Sequence, residues 1–400
     1  MSETTITQDN VLQWRLDVRG LLERRLVEAV ETVLEEELQI VLGAASYERT
    51  TVRRGYRNGG ETRPITTAAG TRELWVPRAR VSLPEGTTVE FHSQLLPRYA
   101  RRTREVDEAI LGVYLAGANS RRIRKALQPL LGEQHLSKSA VSRIVGRLKE
   151  LFASWEQRDL AGESYPILFL DGFHLKVRLA RKVVTVPVLA ALGVAEDGTK
   201  VLVGLRLAVS EASNLWDELL TDLKRRGLRE PLLLAVDGHA GLAKALTAWP
   251  NARVQRCTQH KLRNLLEHCP RHAHAELRRD YHRIIHARDG MAARRAYAEF
   301  LRKWSKLCPP VARSLEEAGE LLLTFYDFPK SMWKALRSTN ALENLNREFR
   351  RRTKTQGAFA NDQAALTLLW GLVAFGQIKL NKIAGYHHIH NVVETWTQAA

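Results

Sequence analysis

The chain has 400 residues and is 44% hydrophobic, which at roughly 150 residues per domain gives two to three domains with sizeable cores. No apolar run approaches the ~18 residues of a membrane span. The polar start MSETTITQDN lacks a leader pattern, and the three cysteines, Cys257, Cys269 and Cys308, make no disulfide framework. A membrane protein and a disulfide-stapled secreted domain are set aside, and a cytoplasmic, nucleoid-associated protein is expected. Lys plus Arg is 61 against 44 Asp plus Glu, a net charge of +17; such a field attracts polyanions, and nucleic acid is the expected partner.

In chain order, residues 11–44 read as one or two helices, with Leu22, Leu26, Val30 and Val33 as the apolar stripe and Glu35–Glu37 facing away. Residues 50–100 carry Gly, Pro, Thr and Val in short alternations, the pattern of a hairpin, and Arg53, Arg54, Arg57, Arg72, Arg78 and Arg80 make it basic. Residues 104–154 read as three helices, the second capped by Ser120 and the third by Ser137. On the third, Val141, Ile144, Val145 and Leu148 form an apolar stripe, while Lys138, Ser142, Arg143 and Arg147 lie largely off it. That is the arrangement of a helix-turn-helix, with those four as expected DNA contacts. From residue 165 the pattern turns α/β. Strands are expected at 166–178, 183–195, 200–209, 231–236 and 252–256, with a turn at Glu196–Gly198 and a helix capped by Ser213. Residues 258–335 then read as almost all helix, broken at Pro270 and at Pro309–Pro310, followed by helices near 338–353 and on to about 378.

Three acids stand where packing explains them poorly. Asp171 interrupts the apolar strand YPILFLDGFHLKVR, Asp237 closes the strand LLLAV, and Glu343 lies in STNALENLNREFRRRTKTQGAF. Lys176 and Arg178 follow the first; Arg347, Arg350, Arg351, Arg352 and Lys354 follow the third. An acidic centre in a basic surround suits Mg²⁺ and a phosphodiester.

Four stretches, DGFHLKVR at 171–178, DGHAGLAKAL at 237–246, QRCTQHKLRNLL at 255–266 and the long motif at 338–359, together with GYRNG at 55–59, resemble bacterial transposases of the IS256 (Mutator-like) family over roughly residues 50–380. The resemblance implies an α/β RNase H-like catalytic core interrupted by an all-α insertion, with a mixed α+β N-terminal DNA-binding region that includes the helix-turn-helix. It implies a DDE triad of Asp171, Asp237 and Glu343, holding two Mg²⁺ ions that Mn²⁺ can replace. It also implies binding of terminal inverted repeats and target DNA, cleavage and strand transfer, and a copy-out-paste-in route through a circular intermediate. The corresponding segments are 1–48 (helical, dimerisation), 49–103 (basic hairpin), 104–158 (helix-turn-helix), 159–258 (first part of the core), 259–335 (insertion) and 336–400 (C-terminal helices with Glu343). Only the resemblance, not the spacing, makes Glu343 the third acid.

Cys257 and His260 have zinc-like spacing, but a structural zinc wants four ligands, so zinc is not expected. The family carries this Cys/His pair beside the second Asp, and Cys257, His260, Arg263 and Asn264 are expected to support the site. Lys176, Arg178, Arg347, Arg350, Arg351 and Lys354 are expected to touch DNA. Trp304 and Trp333 are read as core, and the histidines at 387–390 as surface. Pairing two element ends calls for a homodimer. Two rival functions remain open: a non-catalytic helix-turn-helix repressor, and an RNase H-like nuclease without strand transfer.

Overall fold

A computed structural model describes residues 8–67, 70–116, 118, 122–123, 125–127, 137–179, 182–207, 215–238, 248–353 and 362–399. The chain divides into two compact units, Met1–Tyr114 with Ala118–Val145, and Leu115–Gly117 with Gly146–Ala400. Among the described residues no helix is long and apolar enough to cross a membrane.

The first unit opens with one long helix, α1 (Gln8–Leu42). An antiparallel sheet follows, β1 (Gly55–Thr67), β2 (Gly70–Ser82) and β3 (Thr88–Glu90), in that order. The hairpin expectation holds, but the buried stripe of α1 does not fall where the sequence suggested. Leu26 and Val33 are exposed, whereas Leu34, Leu38 and Leu42 are buried. Leu38 and Leu42 pack on Ala79, with Val81 and Phe91 beside them. Nor do the glutamates face away as a group. Glu35 pairs with Arg57 at 2.6 Å, and Glu37 accepts from the Gln94 N–H at 2.7 Å. Arg57 of the sheet and the loop after β3 supply partners for these acids, and that fixes the rotation of the helix.

The helices α2 (Arg104–Leu115) and α3 (Lys138–Gln157) follow. Val106, Ile110, Ile123, Leu127, Ala140 and Val141 make one core cluster. Ser137 caps α3 as expected, its Oγ accepting from the Ala140 N–H at 3.1 Å. Most of the expected middle helix, including Ser120, Arg121 and Arg124, lies outside the described residues.

The second unit is built on five strands: β4 (Ile167–Leu179), β5 (Lys182–Val194), β6 (Lys200–Leu207), β7 (Leu233–Val236) and β8 (Arg253–Arg256). All five meet the sequence expectation to within two residues. Their order is β6-β5-β4-β7-β8. The β4–β5 and β5–β6 pairs are antiparallel, and β7 and β8 run parallel to β4. The turn to β6 contains Gly198 at φ +84°, a left-handed conformation that glycine adopts without strain.

Helix α4 (Leu215–Arg225) buries Trp216, Leu219, Leu220 and Leu223. These join Leu168, Leu170, Leu189, Ala191, Val203 and Leu234 in one core. Strands covered in this way read as continuous apolar runs rather than alternations, which is why β4 hides its acid among Leu and Phe. The expected cap of α4, Ser213, lies outside the described residues.

Helices α5 (Thr258–Glu267), α6 (His274–Ile285), α7 (Gly290–Leu307) and α8 (Pro309–Ala318) make the expected helical stretch. Pro309 sits at the start of α8, where a missing N–H costs nothing. The stretch is fastened to the edge strand β8 by polar side chains. Gln255, fully buried, donates to the Leu322 carbonyl at 3.0 Å and accepts from the Phe325 N–H at 2.7 Å. Arg256 and Lys261 share Glu317, at 2.6 and 2.7 Å. Trp304 is core, as expected; Trp333 is half-buried against Phe325 and Tyr326, and its Nε1 donates to the Phe328 carbonyl at 2.7 Å. Helices α9 (Asn340–Thr353), α10 (Asp362–Ala374) and α11 (Ile389–Ala399) close the chain. His387, His388 and His390 are exposed.

Candidate active site

The sheet register brings the first two acids together. Leu170 of β4 pairs with Val236 of β7, and Val236 with Arg256 of β8. One step further along these three parallel strands stand Asp171, Asp237 and Cys257. The residue after Asp237 has to be a glycine. Gly238 has φ +89°, and an added Cβ would lie 2.4 Å from the Arg256 guanidinium.

From Cys257 the chain enters α5, which carries His260 and Arg263 three residues apart, so on one face. Helix α9 packs along β4 with Leu342, Leu345 and Phe349 buried, the Phe349 ring 5.7 Å from Phe173. Glu343 lies in its first turn. Its Oε1 is 3.0 Å from Arg263 Nη2 and 3.5 Å from His260 Nε2. The two helices are also joined before the acid is reached. The Thr339 N–H donates to the Cys257 sulfur at 3.3 Å, the Thr339 hydroxyl lies 3.5 Å from His260 Nδ1, and the Thr339 carbonyl accepts from the Glu343 N–H at 2.9 Å.

Asp171 is 3% exposed. Its Oδ1 accepts from the Gly172 N–H at 2.9 Å and its Oδ2 from Asn346 Nδ2 at 3.2 Å. Burial pushes its carboxyl up to about 7; the charges of Asp237 and Glu343 push the same way, against His260 and the Gly172 N–H. His260 is held up to about 9, first by its hydrogen bond to Cys257 and then, against its own burial, by the charges of Cys257, Asp171 and Asp237. Burial alone would raise the Cys257 thiol, but His260 and the Thr339 N–H outweigh it and the thiol lies below its ordinary value. A buried carboxylate and a half-buried histidine shifted in this way are typical of functional sites.

The donor chemistry suits a hard divalent cation: carboxylate oxygens that repel one another, with Asn346 Oδ1 buried and without a hydrogen-bond donor and Glu343 Oε1 met only by the ion pairs to Arg263 and His260. Among the described residues no three His, Cys, Asp or Glu side chains already converge as a closed metal site. Arg263 and His260 neutralise Glu343 in this arrangement, so the fit is one of chemistry and charge rather than of preset ligand geometry.

Asp171, Asp237, Glu343, Cys257, His260 and Arg263 thus share one site. Asn264 is exposed on α5 and makes no hydrogen bond to the acids among the described residues. Lys176 is exposed, but strand alternation puts it on the opposite face of β4 from Asp171, Phe173 and Leu175. Arg347, Arg350 and Arg351 line the exposed side of α9, with Arg350 5.9 Å from the Phe173 ring. Ser142, Arg143 and Arg147 are exposed along α3. Lys354 lies outside the described residues, as do the side chains of Lys138 and Arg178. Two site residues were not singled out from sequence, Thr339 and Asn346. Their only signal was their place within the STN and LENLN parts of the long motif.

The sequence profile of the Mutator family of transposases matches residues 1–377. The chain belongs to this transposase family. Over 344 residues it is 36% identical to the transposase for insertion sequence element ISRM5 of Rhizobium meliloti (strain 1021), covering 86% of this chain and 84% of that protein. It is 36% identical over 367 residues to the transposase for insertion sequence element IS406 of Burkholderia multivorans, covering 91% and 92%. To the transposase for IS256 in transposon Tn4001 of Staphylococcus aureus it is 31% identical over 344 residues, covering 84% and 85%. A transposase acts on DNA, and a net charge of +17 suits that partner.

Proposed function

We propose that this chain is the DNA transposase of an insertion sequence, with Asp171, Asp237 and Glu343 as the catalytic carboxylates of an RNase H-like core. One observation carries the reading. Parallel register sets Asp171 beside Asp237, and α9 brings Glu343 into the electrostatic field of Asp171 and the reach of His260. Three antiparallel strands followed by two parallel ones support the core assignment. Helices α2 and α3, with exposed Ser142, Arg143 and Arg147, support a helix-turn-helix that reads the terminal inverted repeats.

The three carboxylates would hold Mg²⁺, or Mn²⁺ in its place; when bound, the cations supply Lewis-acid stabilisation of the attacking and leaving oxygens. The chain's own groups do the rest. Gly172 and Asn346 hold the Asp171 carboxylate. His260 and Arg263 offset the negative charge of the site and keep Glu343 oriented. Arg347 and Arg350 on α9 face solvent beside the site and suit the phosphates of the bound strand. Water attacks the phosphorus at the element end and frees a 3′-OH; that 3′-OH then attacks a target phosphodiester, displacing one strand as it joins. No covalent protein intermediate is required. Copy-out-paste-in through a circle, and a homodimer that pairs two ends, complete the proposal.

The test is a cleavage and strand-transfer assay on DNA carrying the flanking ends of the chain's own element, with Mg²⁺. Wild-type protein is expected to nick and join; Asp171→Asn, Asp237→Asn and Glu343→Gln are expected to bind ends and do neither. Undiminished cleavage by Asp171→Asn would sink the triad. Binding without nicking in Mg²⁺ or Mn²⁺ would favour a repressor, and cleavage without joining a nuclease.

A further inference from the structure

Asn346 stands one turn after Glu343 on α9, on the same face. It is 3% exposed, a depth at which an amide costs free energy unless it is bonded. Its bond runs to Asp171: Nδ2 lies 3.2 Å from Oδ2. Only the NH₂ end of the amide can donate to an ionised carboxylate, so the orientation is fixed by the acid. The other end, Oδ1, is buried and meets no donor. The side chain therefore does not complete an internal network of its own.

Packing does not call for an amide here. Phe349 of α9 packs against Phe173 of β4, and Leu342 and Leu345 are buried on the same helix. A leucine has the same branched shape, with two methyls in place of the amide oxygen and nitrogen, and would suit such surroundings better. What a leucine cannot do is donate to Asp171 Oδ2. A lysine or arginine could donate, but its charge would oppose a cation among the three acids. An aspartate would add a fourth negative charge and, ionised, could donate nothing. An amide is the side chain that holds a carboxylate without changing the charge of the site.

We propose that Asn346 is the positioning residue of Asp171, fixing through Nδ2 the carboxylate orientation on which cation binding depends. The inference rests on the reading of Asp171 as a catalytic carboxylate. It makes α9 bifunctional: one turn carries an acid of the site, and the next turn aims another acid, supplied by a strand 175 residues earlier. Groups that orient ligands in this way are worth about 10- to 100-fold in metal affinity or activity when removed.

The experiment uses the full chain without DNA, titrated with Mn²⁺ alone and followed by electron paramagnetic resonance, with melting temperature and end-DNA affinity measured in parallel. Asn346→Leu is expected to weaken Mn²⁺ binding about 10- to 100-fold. Its melting temperature should stay at or above that of wild type, its DNA affinity should be unchanged, and kcat for cleavage should fall in proportion to the lost metal affinity. Asn346→Ser, which keeps a small donor, should stand between wild type and Asn346→Leu, and it replaces Asn346→Leu if that variant fails to melt cooperatively. Mn²⁺ affinity within twofold of wild type in both variants overturns the proposal. Asp171→Asn separates the two failures. If it loses Mn²⁺ binding while the Asn346 variants keep it, the role of Asn346 falls and Asp171 stands; if it keeps binding and cleavage, the catalytic reading itself falls.

Discussion

Arg263 Nη2 stands 3.0 Å from Glu343 Oε1, so the acid of α9 is held by a cation of α5 rather than left open to solvent. Arg263 is more than half exposed, which keeps the pair weak. Two consequences follow from a weak pair at this place. Taking away the positive charge removes a competitor for a divalent cation, so Arg263→Ala is expected to bind Mn²⁺ about two- to fivefold more tightly without DNA, the worth of an exposed pair. The same variant removes a positive charge beside the site and should bind end DNA with a shallower salt dependence. Titration calorimetry and a salt series check both; unchanged Mn²⁺ affinity would mean that the pair is ornamental.

Stability of the metal-free protein should fall as pH rises, in two windows. Asp171 titrates at about 7 when folded, against 3.8 for an ordinary Asp. The folded state therefore holds its proton longer, and stability is lost between about pH 4 and 7 as the buried carboxyl must ionise. His260 titrates at about 9 when folded against 6.5 ordinarily. Its charged form stabilises fully below pH 6.5, and that contribution disappears as pH rises through 9. Melting curves in EDTA should show Asp171→Asn flattening the acid window and raising the melting temperature at pH 8. His260→Gln should flatten the alkaline window. A wild-type slope in either variant contradicts the corresponding assignment.

The Thr339 N–H has Cys257 sulfur as its acceptor, both groups buried. Removing the sulfur strands that donor, at about 1–3 kcal/mol. Cys257→Ala is therefore expected to lower the unfolding free energy by that amount. Because Thr339 leads directly into the helix of Glu343, it should also slow cleavage more than a distant variant of equal stability does. Denaturant melts and single-turnover rates on the same preparations test the pairing.

Glu317 is more exposed than either partner, yet it is ion-paired with both Arg256 and Lys261. Burial pulls Lys261 below its ordinary value, and Glu317 offsets this. Glu317→Ala would leave two buried cations facing each other. A loss of about 3 kcal/mol is expected, the low end for breaking a buried pair because Glu317 itself is solvated. A smaller loss in Glu317→Ala combined with Lys261→Met would show that the stranded charge, rather than the lost contact, sets the cost.

The five strands of the second unit were legible in sequence because apolar runs such as ILFL and LLAV are short and bounded by turn residues. Asp171 and Asp237 were legible because a carboxylate in or closing such a run has no packing explanation, whereas Glu343 rested on the family resemblance of its motif. The bonds that aim them were not. Thr339 acts through its backbone N–H, which any residue but proline supplies, and Asn346 acts across 175 residues of chain. Nor did periodicity fix the rotation of α1. Leu26, Val33 and Ile40 and the set Leu34, Leu38 and Leu42 are both helical stripes, and the choice between them lies with Arg57 and the sheet.

That choice leaves Leu26, Val33 and Ile40 exposed by 42%, 44% and 74%. They recur at seven residues, the spacing of a coiled-coil seam. A helix of 35 residues with its opposite face already committed to Leu38 and Leu42 offers this seam to a second copy, in keeping with the proposed homodimer. Replacing Leu26, Val33 and Ile40 by Glu together should convert a dimer to a monomer in light scattering. The fold of the sheet and the Mn²⁺ affinity should be unaffected, and joining of paired ends should be lost before nicking of single ends. A wild-type protein that is monomeric both free and on end DNA would count against the homodimer itself, and a variant that stays dimeric would place the interface elsewhere.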